Sequence, residues 1–242
     1  FFNFADNLQH LFLTQGIYNT SGTEAVHFSV TENGIRRIAN ACIGQSIIFN
    51  VFDPITFKPW DNTNKSRFGS AGTCSNETAL NFEFKYFNHT NRKLIMDFLD
   101  SIPKGTIVTA RLVLDPPYDS ANVQYWKRDT LIYGKGKSLY HALLRQGFAN
   151  LDSLNKPKTF VFAFKKDDTV SFKPRYRISD GLYDRLNESV FVGTTDTSGL
   201  VTSPLLGPAS QWQQLIWDNA PSQGATNPAK TLLRIFGVRP DS

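Results

Sequence analysis

Residues 94–117 read LIMDFLDSIPKGTIVTARLVLDPP, and this stretch restricts the fold more than any other. Leu94, Ile95, Phe98, Leu99 and Ile102 recur at helical spacing and make one apolar stripe. The spacing predicts a helix over 91–101, with the Thr90 hydroxyl as its N-cap. Pro103 biases Ile102 out of the α region and stops the helix. After a glycine turn, 106–114 is almost unbroken apolar, as a strand covered on both faces is. The stripe needs a sheet and the strand needs cover. A chain that sets them side by side folds with helices packed on a sheet. Asp115 is then carried at the C-terminal end of a central strand.

The rest of the chain supplies the sheet. Runs rich in Val, Ile, Phe and Thr, punctuated by Gly, Pro, Asn and Asp, predict strands at 10–14, 25–30, 46–52, 81–87, 159–164, 170–177, 189–193, 211–217 and 231–238. A second helix is expected over 137–146, with Leu139 and Leu143 inward and Gly147 as the C′ residue. The expected class is α/β in the α+β sense: β-sandwich-like sheets with two helices packed on them, flanked by additional strands. Residues 1–42 are expected to give the N-terminal strands of a flanking β element, and 43–194 the helix-bearing module. Residues 195–242 are expected to give a linker and C-terminal strands that return to that element. Two long loops interrupt this pattern. The segment 61–78 is polar, whereas 116–136 holds Tyr118, Tyr125, Trp126 and Tyr133. Loops of that length are usually functional or disordered; four aromatics argue against disorder, and the simplest reading is that they cover the sheet edge.

Charge and special residues narrow the chemistry. The net charge of +5 is spread along the chain, which fits a solvated surface better than a nucleic-acid footprint. No apolar run is long enough for a transmembrane helix. The opening Phe-Phe-Asn-Phe reads like the middle of a strand, which predicts a piece of a longer parent chain. The two cysteines, Cys42 and Cys74, are expected to form a disulfide in an oxidising compartment, contributing about 3 kcal/mol in the chain-entropy model. In a reducing one they would be thiols. His10, His27, His89 and His141 lack zinc-ligand spacing, so no metal is expected. Nor are there GxSxG, HExxH or P-loop motifs, so no catalytic residue and no cofactor are assigned. Sequons at Asn19, Asn64, Asn76, Asn88 and Asn187 favour an extracellular surface, as do triplets such as Asp129-Thr130-Leu131.

The ordered segments SIIFNVFDPITFKPW, LIMDFLDSIPKGTIVTARLVLDPP, LYHALLRQGF and KTFVFAFKK resemble the interleukin-like EMT inducer domain. That domain occurs in small secreted pancreatic-derived-factor proteins, and as the stem of a mannose-linked N-acetylglucosaminyltransferase. The likeness covers 45–168, roughly half the chain. Similar domains sit in large surface proteins of type IX-secreting bacteria, some beside gingipain-like cysteine peptidases, and the flanks GPASQWQQLIW and TLLRIFGVRP look like those. The resemblance implies an extracellular, noncatalytic module. The stem domain binds a sugar, and its strand-end acidic residue matches Asp115. Its two arginines fall at Gln45 and Pro157, with Lys156 and Lys158 alongside, and its tryptophan falls at Phe160.

These readings converge on a noncatalytic binding or assembly module, extracellular or at the cell surface. Its expected partners are a glycan or a protein, together with the other domains of the parent. A sugar site needs an aromatic face and polar groups on the hydroxyls, and the candidates are Asp115, Tyr118, Trp126, Lys156 and Lys158. A protein interface would use the same loop aromatics. The alternatives are a part of a secreted gingipain-like peptidase or other hydrolase, and a structural subunit of a secretion or motility assembly.

Overall fold

The computed structural model describes residues 6–15, 29–39, 45–62, 80–114, 122–181 and 184–195. The chain divides into two compact units, Phe1–Gly199 and Leu200–Ser242, and every described residue lies in the first. The elements run β1 (Asp6–Gln15), β2 (Ser29–Glu32), β3 (Ile35–Ala39), β4 (Ser46–Phe52), β5 (Phe82–Lys85), α1 (His89–Ser101) and β6 (Ile107–Val113). There follow α2 (Val123–Arg128), α3 (Thr130–Tyr133), α4 (Leu139–Arg145), β7 (Phe160–Lys165), β8 (Arg175–Ile178) and β9 (Leu186–Thr195). The strands form two antiparallel sheets, ordered β5-β4-β6-β7-β8 and β3-β2-β1-β9. The class is the expected mixed α+β one, with sheet predominating.

The five-stranded sheet is the middle layer. Phe49, Phe84, Leu112 and Phe162 on one face pack against Ile95, Phe98 and Leu99 of α1 and Leu143 of α4. On the other face, Phe52, Ile107, Val161 and Ala163 meet Leu11, Leu13, Val30 and Val190 of the four-stranded sheet. Cover on both sides is why every residue of β4 and β6 is buried. It is also why these strands show no apolar–polar alternation in the sequence.

The strand at 189–193, grouped by sequence with the helix-bearing module, belongs instead to the sheet of β1–β3. As β9 it pairs with β1 over ten residues, from Asp6 opposite Thr195 to Gln15 opposite Leu186. Its buried Glu188 accepts from Arg175 Nε at 3.1 Å and Arg177 Nε at 2.7 Å on β8, tying the two sheets together. The strands expected at 211–217 and 231–238 lie outside the described residues. One strand was not expected, β3. Its turn is Asn33-Gly34, with φ of 49° and 82°, the positive values that a two-residue hairpin turn demands.

Both helix ends in the opening motif have clear causes. Asn88, not Thr90, caps α1: its Oδ1 accepts from Asn91 N at 2.8 Å. Ile102 closes the helix through its N–H to the Leu99 carbonyl, and Pro103 prevents continuation. Helix α4 begins later than expected, at Leu139, because Ser138 is its cap. It ends as a Schellman motif, with Phe148 N on the Leu143 carbonyl and Gly147 N on the Leu144 carbonyl.

Gly147 has φ of +93°, and a Cβ built there lies 2.6 Å from Pro174 Cγ. Gly147→Ala therefore carries both backbone strain and a clash. The expected loss in a urea unfolding curve is about 2–3 kcal/mol. A loss no larger than that of an ordinary surface substitution would show that the β8 approach yields freely.

Candidate functional site

The described part of the expected aromatic loop at 116–136, from 122 onward, is largely helical. Asn122 starts α2 by accepting from Gln124 N at 3.0 Å, and the Asp129 carbonyl accepts from Ile132 N and Tyr133 N to open α3. Two short helices, joined at Asp129, thus stand against the first turn of α1.

One ion pair holds them there. Arg92 of α1 is buried and makes a two-pronged contact with Asp129, Nε to Oδ2 at 2.6 Å and Nη2 to Oδ1 at 2.7 Å. Its Nη1 donates to the carbonyls of Tyr86 and Phe87 at 2.8 and 3.0 Å. A planar fork is suited to such a junction, because one side chain reaches carboxylate and carbonyls together. Arg92 thereby joins the end of β5, the start of α1 and the α2–α3 corner.

Around this junction lies a groove of about 490 Å³. Its walls are Phe87, Tyr125, Leu131 and Ile132, which are 47, 56, 86 and 57% exposed. Asn88 and His89 line one end, and His89 is joined to Tyr133, Nδ1 to Oη at 3.0 Å. Arg128 also lines the groove, its guanidinium carbon 5.7 Å from the Tyr125 ring centre. Four large apolar side chains in one open concavity are not what a solvated face looks like. Clustered apolar surface marks recognition sites.

The sequence-predicted site residues do not gather here. Trp126 is 1% exposed and faces inward, its ring edge-on to Tyr86 at 6.0 Å, so it belongs to the core and not to a binding face. The reason is helical phase: on α2, Val123 and Trp126 share the inward side, and Tyr125 points out. Lys156 is exposed and Lys158 half-buried in the segment before β7, and neither lines the groove. Phe160, the counterpart of the family tryptophan, is buried edge-on against Phe148 at 5.0 Å. Gln45 has a left-handed φ of 51°. Asp115 and Tyr118 lie outside the described residues, as do Cys42 and Cys74. Of the groove residues, the sequence singled out Tyr125 only as one of four loop aromatics, and Phe87, Arg128 and Ile132 not at all. The adjacent apolar pair Leu131-Ile132 in a polar setting was the only signal available.

A second polar cluster is enclosed between the sheets. Arg111, in the middle of the apolar run of β6, is fully buried. Its Nη2 lies 3.2 Å from Asn50 Oδ1 and 3.4 Å from Asn81 Oδ1. Its Nε and Nη1 have no partner among the described residues. Burial lowers its pKa to about 10, and the charge of Glu83 opposes that fall. Asn50 and Asn81 are bonded to each other at 2.8 Å, and Asn81 donates to Glu83 at 3.1 Å. This cluster joins β4, β5 and β6 and is closed to solvent.

The remaining polar contacts read as structure. Ser138 Oγ lies 2.8 Å from His141 Nδ1 while also capping α4. Lys127 pairs with Asp152 and sits 4.4 Å from the Tyr140 ring centre. Its bond holds the Asp152 carboxyl below, and the Lys127 ammonium above, their ordinary pKa values. Among the described residues no group of three or more His, Cys, Asp and Glu side chains is arranged to hold a metal, and no helix is long and apolar enough to cross a membrane. A scan of the chain against models of known protein families finds no match, and no curated protein matches it.

Proposed function

We propose that this chain is a noncatalytic recognition module of a larger secreted or surface protein, and that it engages a protein partner through the α1–α2–α3 groove. The carrying observation is the exposure of Phe87, Tyr125, Leu131 and Ile132 around one concavity. Protein interfaces anchor on aromatic and Arg side chains set in pockets, and Tyr125 with Arg128 supplies that chemistry. Two aliphatic walls favour an apolar protein side chain over a sugar ring, which needs polar groups around an aromatic platform. Lys156 and Lys158, the cations expected at a sugar, stand apart from the groove.

The test is a photoreactive benzoylphenylalanine at position 131, with a second at Val170 as an exposed control. The expected outcome is a protein adduct of discrete mass from position 131 only, lost when Ile132→Asp is added. Adducts of equal yield from both positions, or none from 131, would overturn the reading. Specific signals on a glycan array that survive Ile132→Asp would move recognition to a sugar elsewhere on the surface.

A further inference from the structure

The geometry points to a partner segment that is acidic as well as apolar: an amphipathic stretch with carboxylates flanking the side chain that enters the groove. The inference rests on the groove being the docking site and adds the charge of its occupant.

The argument is charge complementarity. The segment 122–138, which lends Tyr125, Arg128, Asp129, Leu131 and Ile132 to the groove, carries Lys127, Arg128, Lys135 and Lys137 against a single carboxylate, Asp129. That carboxylate is buried and fully engaged by Arg92. Lys127 is matched by Asp152. Arg128, Lys135 and Lys137 are exposed and have no carboxylate partner among the described residues. No acidic side chain lines the groove except Asp129. An occupant with basic flanks would therefore meet the like charge of Arg128 at the groove, while an acidic one would meet a cation there that has no carboxylate of its own. A pair with Arg128 contributes modestly, and it decides between partners more than it adds raw affinity. The apolar walls, Phe87, Tyr125, Leu131 and Ile132, separate this surface from a merely basic patch. They ask for an inserted side chain, which a peptide presents and a flat bilayer does not.

The experiment uses the whole 242-residue chain and three fluorescent helical peptides. All share one apolar face of Leu and Phe, and their polar faces are all Glu, all Gln or all Lys. Binding is read by fluorescence anisotropy. The expected order is Glu over Gln over Lys, with about fivefold or more between the first two at low salt. That ratio should shrink toward one in 0.5 M NaCl, where the screening length falls to a few ångströms. Arg128→Glu is expected to invert the order, and Leu131→Asp to abolish all binding without changing the urea midpoint. If Glu and Gln peptides bind alike and both are lost on Leu131→Asp, the acidic-partner inference fails and the groove stands. If no peptide binds in a Leu131-dependent way, the groove reading fails and the inference with it. If vesicles of phosphatidylserine and phosphatidylcholine bind through Leu131 and Ile132 while peptides do not, the occupant is a membrane surface and the inference is overturned.

Discussion

Arg92→Leu is expected to lower the unfolding free energy by about 3–5 kcal/mol, because it strands the buried Asp129 carboxylate in a site built for its partner. The geometry leaves that carboxylate little relief. Asp129 is buried at the corner between α2 and α3, and both its oxygens are taken by Arg92. The substitution also frees the carbonyls of Tyr86 and Phe87, which Arg92 Nη1 satisfies. Arg92→Lys keeps the charge and loses the fork, so most of the penalty should remain. In the double variant Arg92→Leu/Asp129→Leu no charge is left buried, and it should be more stable than Arg92→Leu alone. A double-mutant cycle by urea unfolding reads this directly, as a large favourable coupling between the two positions. A cost for Arg92→Leu below 1 kcal/mol would show that water reaches the corner. The groove would then be a softer site than its geometry implies.

How much of this was legible in the sequence depends on the range of the forces involved. Strand β4 was found at its observed bounds, because an apolar run ended by Asp53 and Pro54 is a local signal. Helix α1 was found from its stripe, and the α4 terminus from Gly147, for the same reason. The cap of α1 was placed two residues late. Asn88 and Thr90 are both good cap types, and only the backbone decides between them. Strand β3 was missed although Asn33-Gly34 is a strong hairpin turn, because IRRIA carries two arginines in five residues. Helices α2 and α3 were read as loop. At six and four residues they are too short to show a period, and tertiary contacts hold them.

The candidate site was less legible than the fold. Arg92 and Asp129 are 37 positions apart, and nothing in either local sequence announces the other. Arg111 and Glu83 sit in strands that scan as apolar. That they come to lie on either side of Ile48, near enough for the charge of Glu83 to act on Arg111, follows only from the register. The aromatic content of 116–136 did mark a part of the chain that lines the groove. It did not give the direction each ring faces, which is a matter of helical phase.

That last distinction carries the second large expected effect. Trp126→Ala should cost about 3–5 kcal/mol, the range for emptying a buried aromatic site in a packed core. Trp126 is among the largest fully buried side chains, packed on Tyr86 and in one cluster with Val123 and Leu139. Had Trp126 been the ring-stacking residue of a sugar site, the same substitution would leave stability within about 0.5 kcal/mol and remove binding. Its neighbour Tyr125, one position earlier and exposed, is expected to behave in that second way. Tyr125→Ala should barely move the urea midpoint, and should weaken any ligand that enters the groove. The two variants, measured side by side for unfolding and for peptide anisotropy, separate core from contact surface on one short helix. Reversal of the pattern, with Trp126→Ala neutral and Tyr125→Ala destabilising, would mean that α2 is rotated by about 100° and that the groove walls are wrongly assigned.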